Sequence, residues 1–216
     1  MTTTVGLTYA LGRALYVSLT NRCNALTLVE SRGPGFAISA ASGFAPLQTE
    51  PTPDHVFDAV AAAMSSNEFS ELCFAGAGEP LLRLTCLEAS SRLIREVYPA
   101  SQLPIRINTN GLVPGSEANG VASRLKAAGV DAASVAIATA DAEQYQTLMH
   151  PQPLRYSPVF SYKLGHADVC TFIKECIAVG IPVEATCVER PGVDVEAARQ
   201  AAIDLGASFR SRSWHS

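Results

Sequence analysis

The 216-residue chain is 48% hydrophobic and 17% charged, a balance that excludes disorder and fibrous repeats and suits one domain spanning residues 1–216. Its net charge of −4 gives no global basic face for nucleic acid or an acidic membrane, although a local basic patch is compatible with it. No apolar run approaches the roughly 20 residues that cross a bilayer, and Met1-Thr2-Thr3-Thr4-Val5 lacks the charged-then-apolar start of a secretory signal, so a cytoplasmic protein is expected. The six cysteines (Cys23, Cys73, Cys86, Cys170, Cys176 and Cys187) form no CxxC pair and read as mostly buried thiols.

Short β-rich runs alternate with helical patterns along almost the whole chain, the signature of a parallel sheet. Ala14–Thr20 reads as the first strand. A turn-rich stretch from Ser31 to Pro53 follows, and a helix opens at Pro53-Asp54, with Asp54 as its expected cap. Glu71–Gly76 is the second strand and leads through a glycine turn into a helix over about Leu81–Val97. Pro104–Asn110 is the third strand, on which Arg106, Asn108 and Asn110 share one face. Parallel strands normally bury apolar residues on both faces, so three polar groups on one face predict a polar interior or a ligand site. Ala133–Thr139 is the fourth strand, with Asp141 opening a helix. After an irregular stretch from Pro151 to Gly165 come a helix over Asp168–Ala178, a strand at Val183–Val188, a helix at Val195–Leu205 and a last strand at Ser208–Trp214. Six such repeats are too few for a closed eight-strand barrel and fit a partial (βα)6, TIM-like barrel.

In parallel α/β folds, ligands sit beyond the carboxyl ends of the strands. The residues there form a polar rim: Asn21, Arg22 and Cys23; Gly76, Gly78 and Glu79; Asn108, Asn110 and Gly111; Thr139 and Asp141; Glu189 and Arg190; and His215. The four histidines lack the i,i+4 pairing of a helical zinc site. Glu30 and Glu79 are possible oxygen ligands for a hard cation, and Cys23 a possible reactive thiol if Arg22 and Arg32 lie beside it.

The loop Leu19-Thr20-Asn21-Arg22-Cys23, the turn Gly76-Ala77-Gly78-Glu79-Pro80 and the strand Arg106-Ile107-Asn108-Thr109-Asn110-Gly111 together resemble the radical S-adenosylmethionine (SAM) superfamily. Val135–Tyr145, His150-Pro151 and Phe209–His215 extend the resemblance to the branch associated with TatD-family nucleases. The resemblance implies a radical-SAM-type α/β partial barrel in which Gly76, Gly78, Glu79, Pro80, Asn108 and Asn110 bind SAM or a related small molecule. It also implies a [4Fe–4S] cluster on three cysteines of the first loop, and a TatD-type nuclease as a possible partner.

The chain departs from that pattern at the cluster. The cysteines expected four and seven residues after Cys23 are Thr27 and Glu30, and hydroxyl or carboxylate oxygen does not suit an iron–sulfur cluster. The flanking Arg32-Gly33-Pro34-Gly35-Phe36 is kept, so the loop survives without its ligands. Cys23 is then a remnant metal ligand, insufficient alone. Two readings follow: a pseudoenzyme that keeps a small-molecule pocket or acts through a partner, or an active enzyme with a rebuilt cluster or altered chemistry.

Overall fold

The computed structural model describes residues 5–152, 154–155 and 161–216. Met1–Thr4, and within the 151–165 stretch residues 153 and 156–160, lie outside the described residues. In chain order the elements are β1 (Thr8–Leu11), β2 (Ala14–Val17), α1 (Pro53–Ser66), β3 (Glu71–Phe74), α2 (Leu84–Val97), β4 (Ile105–Thr109), α3 (Gly115–Ala127), β5 (Ala132–Ala136), α4 (Ala142–Met149), β6 (Leu154–Arg155), β7 (Ser161–Tyr162), α5 (His166–Ala178), β8 (Val183–Val188), α6 (Val195–Asp204) and β9 (Ser208–Arg212). The chain gathers into two compact units. Unit one holds Met1–Cys23, Ala37–Asn108 and Arg124–Ala132, and unit two holds Asn24–Phe36, Thr109–Ser123 and Ala133–Ser216.

In unit one, β2, β3 and β4 are parallel, joined by the crossover helices α1 and α2, which pack against each other. β1 pairs antiparallel with β2 through a two-residue turn at Gly12-Arg13, with Gly12 at φ 61°, a backbone state that costs glycine nothing. That edge strand was not expected. The helix-facing side of the strands is apolar: Val17, Leu72, Phe74, Ile105 and Ile107 are fully buried, as are Val56 and Val60 of α1. The N-cap of α1 is Thr52, whose hydroxyl accepts from the His55 amide at 3.3 Å. Asp54, expected as the cap, instead occupies the first turn, where its charge favours the helix dipole.

In unit two, β5, β8 and β9 are parallel, and β6 pairs with β7 in a separate hairpin. Asp141 caps α4 as expected, accepting from Gln144 N at 2.7 Å. α5 begins two residues before the expected Asp168 because that carboxylate serves the helix from its third position. Asp168, 6% exposed, accepts from Gly165 N at 2.9 Å, Gly115 N at 3.0 Å and the Tyr162 hydroxyl at 2.7 Å. One side chain thus fixes the start of α3, the end of β7 and the cap of α5. α3 itself, which runs from unit two into unit one, was not expected from the sequence.

Candidate functional site

In unit one the sequence-predicted residues meet at the carboxyl ends of β2, β3 and β4. The glycine turn after β3 carries the first loop directly on its backbone: Glu79 N donates to Arg22 O at 2.8 Å. A Cβ on Gly78 would collide with the Arg22 carbonyl and come within 2.6 Å of that of Thr20, and a Cβ on Gly76 would collide with the Ser18 side chain. Both glycines are therefore required by the chain's own approach. Glu79 is 3% exposed and caps the short 3-10 helix Pro80–Arg83, accepting from Leu81 N at 3.0 Å, with Pro80 in the first helical position.

The first loop is held from its other side by Glu50. Its carboxylate accepts from the Thr20 hydroxyl at 2.6 Å, Arg22 Nε at 3.0 Å and Arg83 Nη1 at 2.7 Å. The Thr20 hydrogen bond, aided by the two guanidiniums, holds Glu50 below the usual carboxylate range. Asn21 bonds the Leu47 backbone in both directions, Nδ2 to O at 2.8 Å and N to Oδ1 at 3.0 Å. Arg22, which the sequence offered as an activator of Cys23, is thus engaged by Glu50.

Register places Tyr16, Cys73 and Arg106 side by side on the face opposite the helices, with Tyr9 stacked on Tyr16 at 5.1 Å. The Arg106 guanidinium forks onto Glu71, Nε to Oε2 at 3.0 Å and Nη2 to Oε1 at 2.6 Å, and Nη1 donates to Asn108 Oδ1. Burial disfavours the Arg106 charge, but the Glu71 bonds outweigh it and raise its pKa. Asn108 is thereby fixed with its Nδ2 turned away from Arg106, and among the described residues that nitrogen has no partner. Two strands away on the same face, Ser18 is 1% exposed and its hydroxyl has no partner. Of these two groups on one strand-end face, the Ser18 hydroxyl is buried and unsatisfied, and Asn108 is half-exposed. Asn108 was legible in the sequence; Ser18 and Glu71 were not, because only register brings them to Asn108 and Arg106.

In unit two the positions expected to hold the other cluster cysteines hold each other. Thr27 N donates to Glu30 Oε2 at 3.2 Å, the Thr27 hydroxyl donates to the same oxygen at 2.7 Å, and Glu30 N donates to Thr27 Oγ1 at 3.1 Å. This is a capping box, the Thr-x-x-Glu arrangement that satisfies the open amides at the start of a helical turn. Ser31 N completes the turn on Thr27 O at 2.9 Å, ahead of the 3-10 helix Glu30–Arg32. Preceding it, Leu26 N bonds Met149 O at 2.7 Å and Asn24 O accepts from Gln152 N at 2.7 Å. Asn110, 1% exposed, folds back with Oδ1 on Leu112 N and donates Nδ2 to Asn24 Oδ1 at 2.8 Å.

Arg32 donates Nε to Ser213 O at 2.9 Å and shares a 3.3 Å contact with His215 Nε2, so it too is directed away from a thiol-activating role. Cys73, Cys86, Cys176 and Cys187 are buried, and Cys23 and Cys170 half-buried. Burial raises the thiol pKa to about 12 for Cys176 and about 11 for Cys187. The donor set does not fit a [4Fe–4S] cluster: two of the three positions carry oxygen ligands tied to one another, and among the described residues no three His, Cys, Asp or Glu side chains converge on a metal position.

No family model matches the chain, and no curated protein matches it. Among solved structures, SuiB from Streptococcus suis aligns over 95% of this chain and 40% of its own, at 12% identity and TM-score 0.64. The radical SAM methyltransferase TsrM from Kitasatospora setae, solved with cobalamin and a [4Fe-4S] cluster, aligns over 91% of this chain and 36% of its own, at 14% identity and TM-score 0.56. The same enzyme with tryptophan substrate and the SAM analogue aza-SAM gives 94%, 36%, 14% and 0.58. The chain therefore spans less than half the length of the structures it resembles. At these identities the likeness carries the fold alone, and that fold is the α/β, TIM-barrel-like arrangement of radical SAM proteins.

Proposed function

We propose that this protein is a radical-SAM-fold pseudoenzyme that has lost its [4Fe–4S] cluster and works by binding. The observation that carries this reading is the Thr27–Glu30 capping box: the two ligand positions are occupied by side chains satisfied by each other and by the turn they start. Reductive cleavage of SAM draws its electron from the cluster, so a single remnant thiolate at Cys23 leaves that chemistry without a source. Anaerobic reconstitution with iron and sulfide tests it. No stoichiometric cluster is expected; about four irons per chain, lost in Cys23→Ala, would overturn the reading.

The retained binding function rests on Ser18 and Asn108, with Gly76, Gly78, Glu79 and Pro80 forming the backbone turn beside them. The ligand is a small polar molecule, SAM or a related nucleoside, held more weakly than by a cluster-bearing protein because no iron chelates its amino acid end. Calorimetry against SAM, S-adenosylhomocysteine and adenosine checks this, and folded protein that binds none at millimolar ligand removes the pocket. In this reading the chain acts in the cytoplasm as one domain, with a TatD-type nuclease as its partner. That partnership stands on sequence resemblance, and co-elution of the two purified proteins tests it.

A further inference from the structure

The side of unit two opposite its helices carries polar residues that the sequence pattern did not single out. Register aligns Ser134 of β5 with Glu184 of β8 and Ser208 of β9, and in a second row Ala136 with Thr186 and Arg210. Between those rows stand Val135, Ala185 and Phe209, whose side chains alternate to the other face. Val135 and Ala185 are fully buried, and the Arg199 guanidinium of α6 lies 4.7 Å from the Phe209 ring centroid, which identifies that face as the helix-covered one. Parallel strands ordinarily bury apolar side chains on both faces, so hydroxyls and charges on the remaining face call for a reason.

Ser134 is 2% exposed and Thr186 6%, yet among the described residues neither hydroxyl has a hydrogen-bond partner. Each stands beside one member of an ion pair, Ser134 beside Glu184 and Thr186 beside Arg210. Arg210 donates from Nε at 2.8 Å and from Nη2 at 2.5 Å, and both contacts end on the same oxygen, Glu184 Oε1. Among the described residues Arg210 Nη1 and Glu184 Oε2 are left without partners, on half-exposed side chains that solutes can reach. A cross-strand ion pair accounts for the two charges. It does not account for an unpartnered buried hydroxyl next to each of them.

The ion pair has no net charge, so it selects by the pattern of charge. A simple anion drawn to Arg210 is repelled by Glu184, and a simple cation meets the reverse. A molecule that carries both charges close together satisfies both side chains at once. A hydroxyl donates to a carboxylate and accepts from an ammonium, so Thr186 and Ser134 serve the same two charges. With strands about 4.8 Å apart and a rise of about 3.3 Å per residue, the Cα atoms of Ser134 and Thr186 lie about 8 Å apart, within the span of one small ligand. We propose that this face binds a free α-amino acid, its carboxylate on Arg210 Nη1 and the Thr186 hydroxyl and its ammonium on Glu184 Oε2 and the Ser134 hydroxyl.

Calorimetry of the full chain at neutral pH against L-alanine, L-leucine, L-phenylalanine and L-glutamine tests this, because the four share the zwitterion and differ in the side chain. At least one is expected to bind saturably at millimolar concentration. Its amide, which lacks the carboxylate, and its N-acetyl derivative, which lacks the ammonium, are each expected to bind more weakly by about tenfold or more. Thr186→Val, which removes a hydroxyl that bonds nothing in the protein, is expected to melt no lower than the unaltered chain and to weaken the amino acid by about fivefold or more. No saturable binding of any of the four, an amide or N-acetyl derivative that binds as well as the parent, or a Thr186→Val protein with unchanged affinity would each overturn the proposal. A Thr186→Val protein that melts clearly lower would overturn it too, since the hydroxyl would then serve the fold. If Thr186→Val does not fold, the comparison of the amino acid with its two derivatives on the unaltered protein decides. Asn108→Leu is expected to leave this titration unchanged, so a failure here is separable from a failure of the pocket in unit one.

Discussion

Restoring both cysteines, Thr27→Cys with Glu30→Cys, separates the loss of ligands from the loss of the loop. In the metal-free variant the three hydrogen bonds between residues 27 and 30 are gone: the two reciprocal side-chain-to-amide bonds and the hydroxyl-to-carboxylate bond. Glu30 is exposed and Thr27 only half-buried, which places the loss at the low end for a capping box, about 1–2 kcal/mol. For a chain of this size that lowers the melting temperature by roughly 2–8 °C. The backbone bonds of Asn24 and Leu26 to Gln152 and Met149 do not involve the replaced side chains, so the loop keeps its course. Anaerobic iron and sulfide are then expected to load about four irons per chain, give the cluster's paramagnetic signal on reduction, and recover the lost melting temperature, since a ligand bound to the native state alone stabilises it. The assay is thermal melting by circular dichroism before and after reconstitution, with iron counted in the same samples. A metal-free variant that melts with the unaltered protein would show that the capping box holds nothing. A folded variant that takes up no iron would show that more than the ligands had changed.

Asp168→Ala removes the acceptor shared by three half-buried donors and is expected to lose about 1–3 kcal/mol in denaturant unfolding, with Asp168→Asn losing less because one oxygen remains. Gly78→Ala forces a Cβ against the backbone of Arg22 and Thr20, which have no side-chain freedom with which to yield. A loss of about 1–3 kcal/mol is expected, together with faster hydrogen exchange at the Glu79 amide. Stability should also depend on pH in two opposite windows. Cys187 and Cys176 have folded pKa values of about 11 and about 12 against an ordinary 9.0, so their contribution is complete below pH 9 and is lost as the pH rises through 11 and 12. Burial lowers the His166 pKa from 6.5, so protonation favours the unfolded chain and stability falls as the pH drops below about 6.5. A melting temperature that rises above pH 9 would contradict the thiol assignment.

The alternation of strand and helix was legible because it is local. Val183–Val188 and the Asp141 cap were found where they were expected, and Pro80 stands at a first helical position, which its fixed φ and missing N–H suit. α3 was silent because the residues it buries, Ala118, Ala122 and Leu125, are mostly small and carry little hydrophobic periodicity. β1 is a four-residue strand whose clearest sign is the Gly12-Arg13 turn. At the site, Asn108 and Arg106 could be read from their alternation along one strand. The Glu71 carboxylate that orients them and the orphaned Ser18 hydroxyl depend on strand register, which no single-strand pattern contains. The Thr27–Glu30 pair shows a different limit. Thr-x-x-Glu is itself a recognisable capping pattern, and it stands at the same two positions where the cysteine spacing places cluster ligands.

The β1–β2 hairpin also bears on the order in which unit one assembles. Leu11 and Ala14 are partners across two residues, whereas Ala14 reaches its parallel partner Glu71 only after the intervening 3-10 segments and α1 have been laid down. Closing a two-residue turn takes microseconds and little chain entropy, while every parallel pair must first close a long crossover. β2 therefore acquires a hydrogen-bonded neighbour on one edge long before β3 arrives at the other. A strand held straight in this way is a template on which the slower parallel pairing can start, and it carries the loop through Cys23 into place as it does so.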